Sequence, residues 1–172
     1  MIEPITKMRP ASHPDLETPP PIYIYADVLD EIRFSASWRA DRIAGGVLVG
    51  RRYRCAENGA DFVEVDGYVA GTHIDGIPAF MRYLRMQWKA ARAALRYNFP
   101  EGEVVGWFIG SPSGQPVTNQ DTLLLHHTYF SHPWQLGLWI SGNDAPASLA
   151  AQGEELVTGH VGIPIVDERP DP

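Results

Sequence analysis

A group of side chains between positions 121 and 132 has the residue types of a metal site. Asp121, His126, His127 and His132 offer a carboxylate and imidazole nitrogens, which are ligands that zinc prefers. His126 and His127 are neighbours on a predicted helix, so their side chains point about 100° apart and cannot easily hold one ion together. We therefore expect surface or hydrogen-bonded histidines here, with a displaced metal site of Asp121, His126 and His132 as the alternative.

Two nearby motifs have simple structural explanations. Ser111 and Ser113 lie in a Gly/Ser/Pro turn, but the Gly-x-Ser-x-Gly pattern of a nucleophile elbow is absent, so a serine hydrolase is not expected. Thr118 and Asp121 precede an apolar run with the spacing of a helix capping box, in which both side chains satisfy backbone N–H groups. We interpret this pair as the start of a helix.

A row of cations is the one concentrated positive feature of the sequence. Its members recur at intervals of three and four residues: Arg82, Arg85, Lys89, Arg92 and Arg96. An apolar stripe with the same periodicity lies beside them: Met81, Leu84, Trp88, Ala91 and Leu95. Such a pattern predicts an amphipathic helix whose long basic side chains cover the core. The alternative is a docking face for an acidic partner.

Hydrophobic periodicity predicts the elements that must position these residues. Helices are expected over residues 26–39, 78–98 and 119–129. Strands are expected over 22–25, 43–53, 61–70, 103–109 and 135–141, with a last one within 156–166. Asn58-Gly59 is a hairpin turn signal between the second and third strands. This order predicts a mixed α/β fold with a largely antiparallel sheet flanked by helices, and we expect Trp107, Trp134 and Trp139 in its core.

Three segments of the chain carry a family resemblance. They are Ile43-Ala44-Gly45-Gly46-Val47-Leu48-Val49-Gly50, Val105-Gly106-Trp107-Phe108-Ile109-Gly110-Ser111-Pro112 and His132-Pro133-Trp134-Gln135-Leu136-Gly137-Leu138-Trp139-Ile140. In the same order, they resemble the first core strand, the Val-Gly-Trp-Tyr-His-Ser-His-Pro motif and the Pro-Trp-Gln strand of the JAB/MPN domain. The resemblance spans residues 22–144 and implies the layered, cytidine-deaminase-like architecture of that family.

The active form of the JAB/MPN domain is the JAMM zinc metalloprotease, which cuts isopeptide bonds to ubiquitin-like proteins. The resemblance implies four functional positions: two histidines and an aspartate that bind zinc, and a glutamate that acts as general base on the zinc-bound water. In this chain the histidine positions hold Ile109 and Ser111, and the base position holds Ile43. Asp121 alone matches the family's ligand, so we expect no bound zinc, no cofactor and no catalysis.

Composition limits the classes of function. The chain has 172 residues, a formal net charge of −7, 44% hydrophobic residues and one cysteine. Generic nucleic-acid binding needs a surplus of Lys and Arg and is not expected. A single cysteine allows no internal disulfide. The sequence shows no secretory signal and no apolar run long enough to span a membrane, so we expect a cytoplasmic protein.

We expect a single domain over residues 22–166. A proline-rich arm over 1–21, with Pro19, Pro20 and Pro21, is either a disordered tail or a strap that docks on a partner, and 167–172 is a polar tail. The sequence favours a pseudoenzyme that acts as a scaffold or adaptor, pairing with a second MPN-like domain or with itself. The alternatives are a residual metal-dependent isopeptidase with a rebuilt site and a non-cutting binder of ubiquitin-like or peptide tails.

Overall fold

The computed structural model describes residues 21–37, 43–70, 76–111, 119–142 and 144–163. Three helices lie in this part of the chain: α1 (Ala26–Ser37), α2 (Ile77–Asn98) and α3 (Gln120–Tyr129). Eight strands lie there as well: β1 (Ile22–Ile24), β2 (Ala44–Arg54), β3 (Asp61–Ala70), β4 (Glu103–Ser111), β5 (Leu136–Ser141), β6 (Ala147–Gln152), β7 (Glu155–Gly159) and β8 (Val161–Gly162).

All eight strands join one sheet in the order β7-β6-β5-β4-β2-β3-β1-β8. The pairs β2–β3, β2–β4, β5–β6 and β6–β7 are antiparallel, whereas β1–β3, β1–β8 and β4–β5 are parallel. The predicted mixed α/β class is therefore confirmed. The predicted, largely antiparallel sheet is confirmed as well, because four of the seven strand pairs are antiparallel. The parallel pair β4–β5 arises because the crossover through α3 returns the chain parallel to β4.

The helices cover the two faces of the sheet. On one face α1 contributes Val28, Leu29 and Ile32 to a buried cluster with residues of β2, β3, β4 and β5. On the other face Phe80 and Leu84 of α2 join Leu125 of α3 in a second cluster. Burying each such side chain contributes about 1.5–3 kcal/mol, so each helix is held mainly by its apolar stripe.

A β-bulge in β4 decides which residues enter which cluster. Leu48 pairs with Gly106 while Val49 pairs with Val104, so β4 has one extra residue at this point. An extra residue interrupts the alternation of side chains along a strand. As a result Val105 packs in the cluster with α1, whereas Trp107, two positions further along, packs in the cluster with α2 and α3.

Most of the predicted elements are confirmed within one or two residues at each end. The hairpin between β2 and β3 turns at Asn58 and Gly59, as predicted. Gly59 has a φ of 70°, which glycine adopts without strain. The Asn58 Oδ1 atom accepts a hydrogen bond of 2.9 Å from the Ala60 N–H. The predicted helix over 26–39 ends at Ser37 in the described chain, and residues 38–42 lie outside it.

The end of the domain differs from the prediction. Strand β6, with the sequence Ala-Ser-Leu-Ala-Ala-Gln, was not predicted because it has no β-branched or aromatic residue. Its pairing with β5 and β7 supplies the stability that local propensity lacks. The single last strand that we predicted is two strands, β7 and β8, and residues 164–166 lie outside the described chain.

The termini are only partly described. Pro19, Pro20 and the tail over 167–172 lie outside the described residues, while Pro21 is described and its carbonyl accepts a hydrogen bond of 2.9 Å from Val63 N–H. In the described part of the chain, no helix combines the length and the apolar character that a membrane crossing needs.

Candidate functional site

Three of the four positions that we aligned by sequence resemblance with a zinc site, Ile43, Ile109 and Ser111, lie at one end of β2 and β4. Ala44 pairs with Gly110 and Gly45 with Ile109, which places Ile43 next to Ser111. The Ile109 side chain is fully buried in the cluster with α2 and α3, and Ile43 packs against the same cluster. At this end of the sheet, the side chains of Ile43 and Ile109 are therefore engaged in apolar packing.

A tryptophan on the next strand adds an unusual polar group to this region. Trp139 of β5 lies beside Ile109 in the parallel β4–β5 register and belongs to the same buried cluster. Its indole N–H is buried, and within the described part of the chain it has no hydrogen-bond partner. An unsatisfied buried donor costs about 1–3 kcal/mol, so the packing around it must compensate for this loss.

Asp121 is exposed in the first turn of α3. The capping box that we assigned to Thr118 and Asp121 lies elsewhere. Thr122 N–H donates to Asn119 Oδ1 over 3.1 Å, and Asn119 N–H donates to Thr122 Oγ1 over 2.9 Å. The amide of Asn119 is a strong cap, and Thr118 lies outside the described residues. Asp121 retains only a favourable charge near the positive end of the helix dipole.

The histidines do not form the displaced metal site. His126 is buried, and its Nδ1 atom accepts a 3.2 Å hydrogen bond from the indole N–H of Trp107. Because an indole N–H can only donate, the neutral imidazole carries its own proton on Nε2. His132 is exposed and stacks on Trp134 instead. Among the described residues, no group of three or more His, Cys, Asp and Glu side chains could hold a metal ion.

The buried environment keeps His126 uncharged. Its pKa is lowered from 6.5 to about 4, mainly by desolvation and to a lesser extent by the neighbouring His127. The hydrogen bond to Trp107 therefore joins α3 to the centre of β4 through two neutral groups. The sequence predicts a surface or hydrogen-bonded histidine at His126 but no partner for it, since Trp107 lies in another element with no periodic relation to it.

A groove of about 400 Å³ opens at the opposite end of β4. One wall is the last part of α2, including Trp88, Arg92 and Arg96. The other wall includes Glu103 at the start of β4 and the segment between α3 and β5. The groove thus combines guanidinium groups and aromatic rings, a combination that suits polar ligands with apolar parts.

Trp134 lies on this second wall and packs against the edge of the cluster with α1, so the expected core position is confirmed only in part. Its ring is only partly buried and stacks on the His132 ring with 5.5 Å between centroids and 8° between planes. The Arg52 guanidinium lies 4.1 Å from the centroid of the Trp134 ring. Arg52 also binds Glu103 with an Nε–Oε1 distance of 3.0 Å. These contacts fix the Trp134 ring at the rim of the groove.

The side chain of Gln135 holds this wall in place. Its Nε2 donates to the Val104 carbonyl over 3.0 Å, and its Oε1 accepts from the His132 N–H over 3.1 Å. Gln135 is buried, so these bonds are shielded from water. The amide therefore joins the segment after α3 to the start of β4 and gives the groove a rigid floor.

The predicted cationic row is a solvent-facing feature of α2. Arg82, Arg85, Lys89, Arg92 and Arg96 are all exposed. Within the described part of the chain, none of the five forms an ion pair, and the arginines that do form ion pairs lie on α1 and β2. Two members of the row, Arg92 and Arg96, line the groove.

Comparison with known proteins identifies a shared fold. No protein-family model and no curated protein matches the sequence. Among solved structures, the chain is similar to the solution structure of protein DSY2949 from Desulfitobacterium hafniense, with a TM-score of 0.57 and 17% sequence identity. The match covers 84% of this chain and 93% of that one. At this level of identity the likeness concerns the arrangement of helices and strands alone.

Proposed function

We propose that this protein is a non-catalytic scaffold or adaptor domain of JAB/MPN-like type that acts by binding another protein. The observation that carries the proposal is the row of five exposed cations on α2, which has no carboxylate partner among the described residues. Such a row is unfavourable for the isolated helix, because like charges three and four positions apart repel. A surface of this kind is explained by an acidic partner that neutralises it.

The absence of suitable groups at the family's catalytic positions supports the non-catalytic part of the proposal. Ile43 and Ile109 have no lone pair that could bind a metal or accept a proton, and Ile109 packs in the core. Asp121 is one ligand, whereas catalytic zinc sites use three protein ligands and one open position. Ile43 and Ile109 stabilise the domain through packing instead.

The proposal is tested by measuring how the purified protein assembles. Light scattering on the protein, and on complexes isolated after chemical cross-linking in its native cells, should show a stoichiometric complex with itself or with another protein. Reversing the charges of Arg82 and Arg85 should weaken that complex, while reversing Asp121, which lies on a different helix, should not. A strict monomer without a stable partner would contradict the scaffold role.

The non-catalytic part has its own test. Carefully purified protein should contain no stoichiometric zinc by elemental analysis, and it should not cleave isopeptide-linked or linear ubiquitin-like substrates. Stoichiometric zinc together with cleavage would replace the proposal with a metal-dependent hydrolase.

A further inference from the structure

We propose that the groove between the end of α2 and the start of β4 binds an acidic peptide segment of another protein. Arg92 and Arg96 would receive its carboxylates, and Trp88 and Trp134 would contact its apolar side chains. This inference rests on the proposed scaffold function, because it names the chemistry of the partner and the part of α2 that binds it.

The charges of α2 support an acidic occupant. The helix holds five cations and no carboxylate over 22 residues, although the whole chain has a net charge of −7. Arg92 and Arg96 are one turn apart, so their guanidinium groups point in the same direction. Both are exposed and, in the described chain, free of ion pairs. Guanidinium groups in this arrangement bind carboxylates in bidentate geometry.

The shape of the groove supports a peptide. Its volume of about 400 Å³ accommodates a few side chains rather than a whole protein surface. Trp88 is partly buried and is held by edge-on contact with Phe130, with 5.9 Å between ring centroids. Trp134 is held by His132 and Arg52 on the facing wall. Rigid aromatic walls are the surfaces against which extended peptides place proline and other apolar side chains.

Carboxylates along the second wall disfavour nucleic acid. Arg52 is already paired with Glu103, which itself lines the groove, and Arg51 lies 3.5 Å from Glu101. These two arginines are therefore neutralised, and among the described residues that line the groove, Arg92 and Arg96 are the arginines without an ion pair. A regularly charged phosphate backbone needs more cations than these two.

The experiment uses the full chain and a short fluorescein-labelled peptide in which glutamates alternate with proline and phenylalanine. Fluorescence anisotropy at about 0.1 M salt should show binding of this peptide. A matched peptide with glutamine at every glutamate should bind at least about tenfold more weakly, because the charge-assisted hydrogen bonds are lost. Equal affinity for the two peptides would overturn the proposal, as would tighter binding of a thymidine oligonucleotide.

Two charge-reversed double variants locate the binding. The double variant Arg92→Glu with Arg96→Glu should bind the glutamate peptide at least about tenfold more weakly. The control, Arg82→Glu with Arg85→Glu, changes the net charge by the same amount. These two residues lie about 10 Å or more from Arg92 and Arg96 along the helix, which is near the Debye length. This variant should therefore weaken binding of the glutamate peptide by less than about threefold. Equal effects of the two variants would show that the peptide is attracted by the overall charge of the helix, and this would overturn the proposal that it binds in the groove.

The outcomes separate this inference from the scaffold proposal. If the glutamate peptide does not bind while the protein still forms a stoichiometric complex that depends on Arg82 and Arg85, the groove inference fails and the scaffold role stands. Circular dichroism on each variant should show an unchanged helix content, because all four arginines are exposed.

Discussion

The two ends of β4 differ in what they show to solvent. At the Ser111 end, the positions that resemble a zinc site are filled by Ile43 and Ile109, which pack into the core. At the Glu103 end, charged and aromatic side chains line a groove. The two ends of β4 lie about 26 Å apart, as the rise per residue along a β-strand indicates. The apolar side chains at the Ser111 end stabilise the domain through burial. The exposed cations of α2 add little to the fold, and the proposed binding of an acidic partner rests on them.

The largest expected effect is at the Ser111 end. The double change Ile109→His and Ser111→His should lower the free energy of unfolding by about 2–4 kcal/mol, because an imidazole would enter an apolar cluster. It should not produce a protease, since Ile43 leaves no general base. Urea unfolding and a peptide-cleavage assay measure the two results.

The control for this change is Ser111→His alone. Ser111 is partly exposed at the end of β4, so the single change should alter stability by less than about 1 kcal/mol. A working protease from the double variant would show that the positions are wrongly aligned with the zinc site.

The second effect tests the hydrogen bond at the centre of β4. The pKa of His126 is lowered from 6.5 to about 4, so the unfolded chain takes up a proton before the folded chain does. Stability should therefore be unaffected by this group above pH 6.5 and should fall as the pH drops from 6.5 to about 4, by up to about 1.4 kcal/mol per pH unit. Urea unfolding over this pH range measures the slope.

The matched variants are His126→Gln and His127→Gln. The first should flatten the slope, because glutamine does not titrate and its Oε1 can still accept from Trp107. The second removes an exposed histidine and should leave most of the slope. If both variants retain the same slope, His126 is not the group responsible.

A smaller effect is expected at the rim of the groove. Arg52→Ala removes the contact with Trp134 and the ion pair with Glu103, and it should lower the free energy of unfolding by about 1 kcal/mol. Arg52→Lys keeps the charge but loses the planar guanidinium, so its effect should be intermediate. Thermal unfolding of the two variants checks this order, and no change in Arg52→Ala would show that Trp134 is held by other contacts.

The smallest effect has the opposite sign. Arg85→Glu replaces a repulsive pair with Lys89 by an attractive one at the favourable spacing and order, and it should stabilise the protein by about 0.3–0.5 kcal/mol. Arg85→Gln should give about half of this gain. If Arg85→Glu destabilises the protein in thermal unfolding, the cationic row supports the fold itself, and the contrast between the two ends of β4 loses its basis.

Much of the fold could be predicted because its signals are local. The alternation of apolar residues defines β3, and the three-and-four spacing defines α2 to within one residue of its observed ends. Positive φ at Gly59 follows from the Asn-Gly pair. Strand β6 could not be predicted, because its alanines have no preference for a strand and its stability comes from two neighbours.

The candidate sites divide in the same way. The sequence by itself determined that Ile43, Ile109 and Ser111 are neither histidine nor glutamate and that α2 carries a row of cations, because residue identity and periodicity suffice for both. Only the tertiary structure decided that Trp134 is partly exposed at the edge of the core, that His126 pairs with Trp107, and that Arg92 and Arg96 line a groove. These contacts join side chains from distant positions in the sequence, and the packing of the helices on the sheet determines which of these side chains meet.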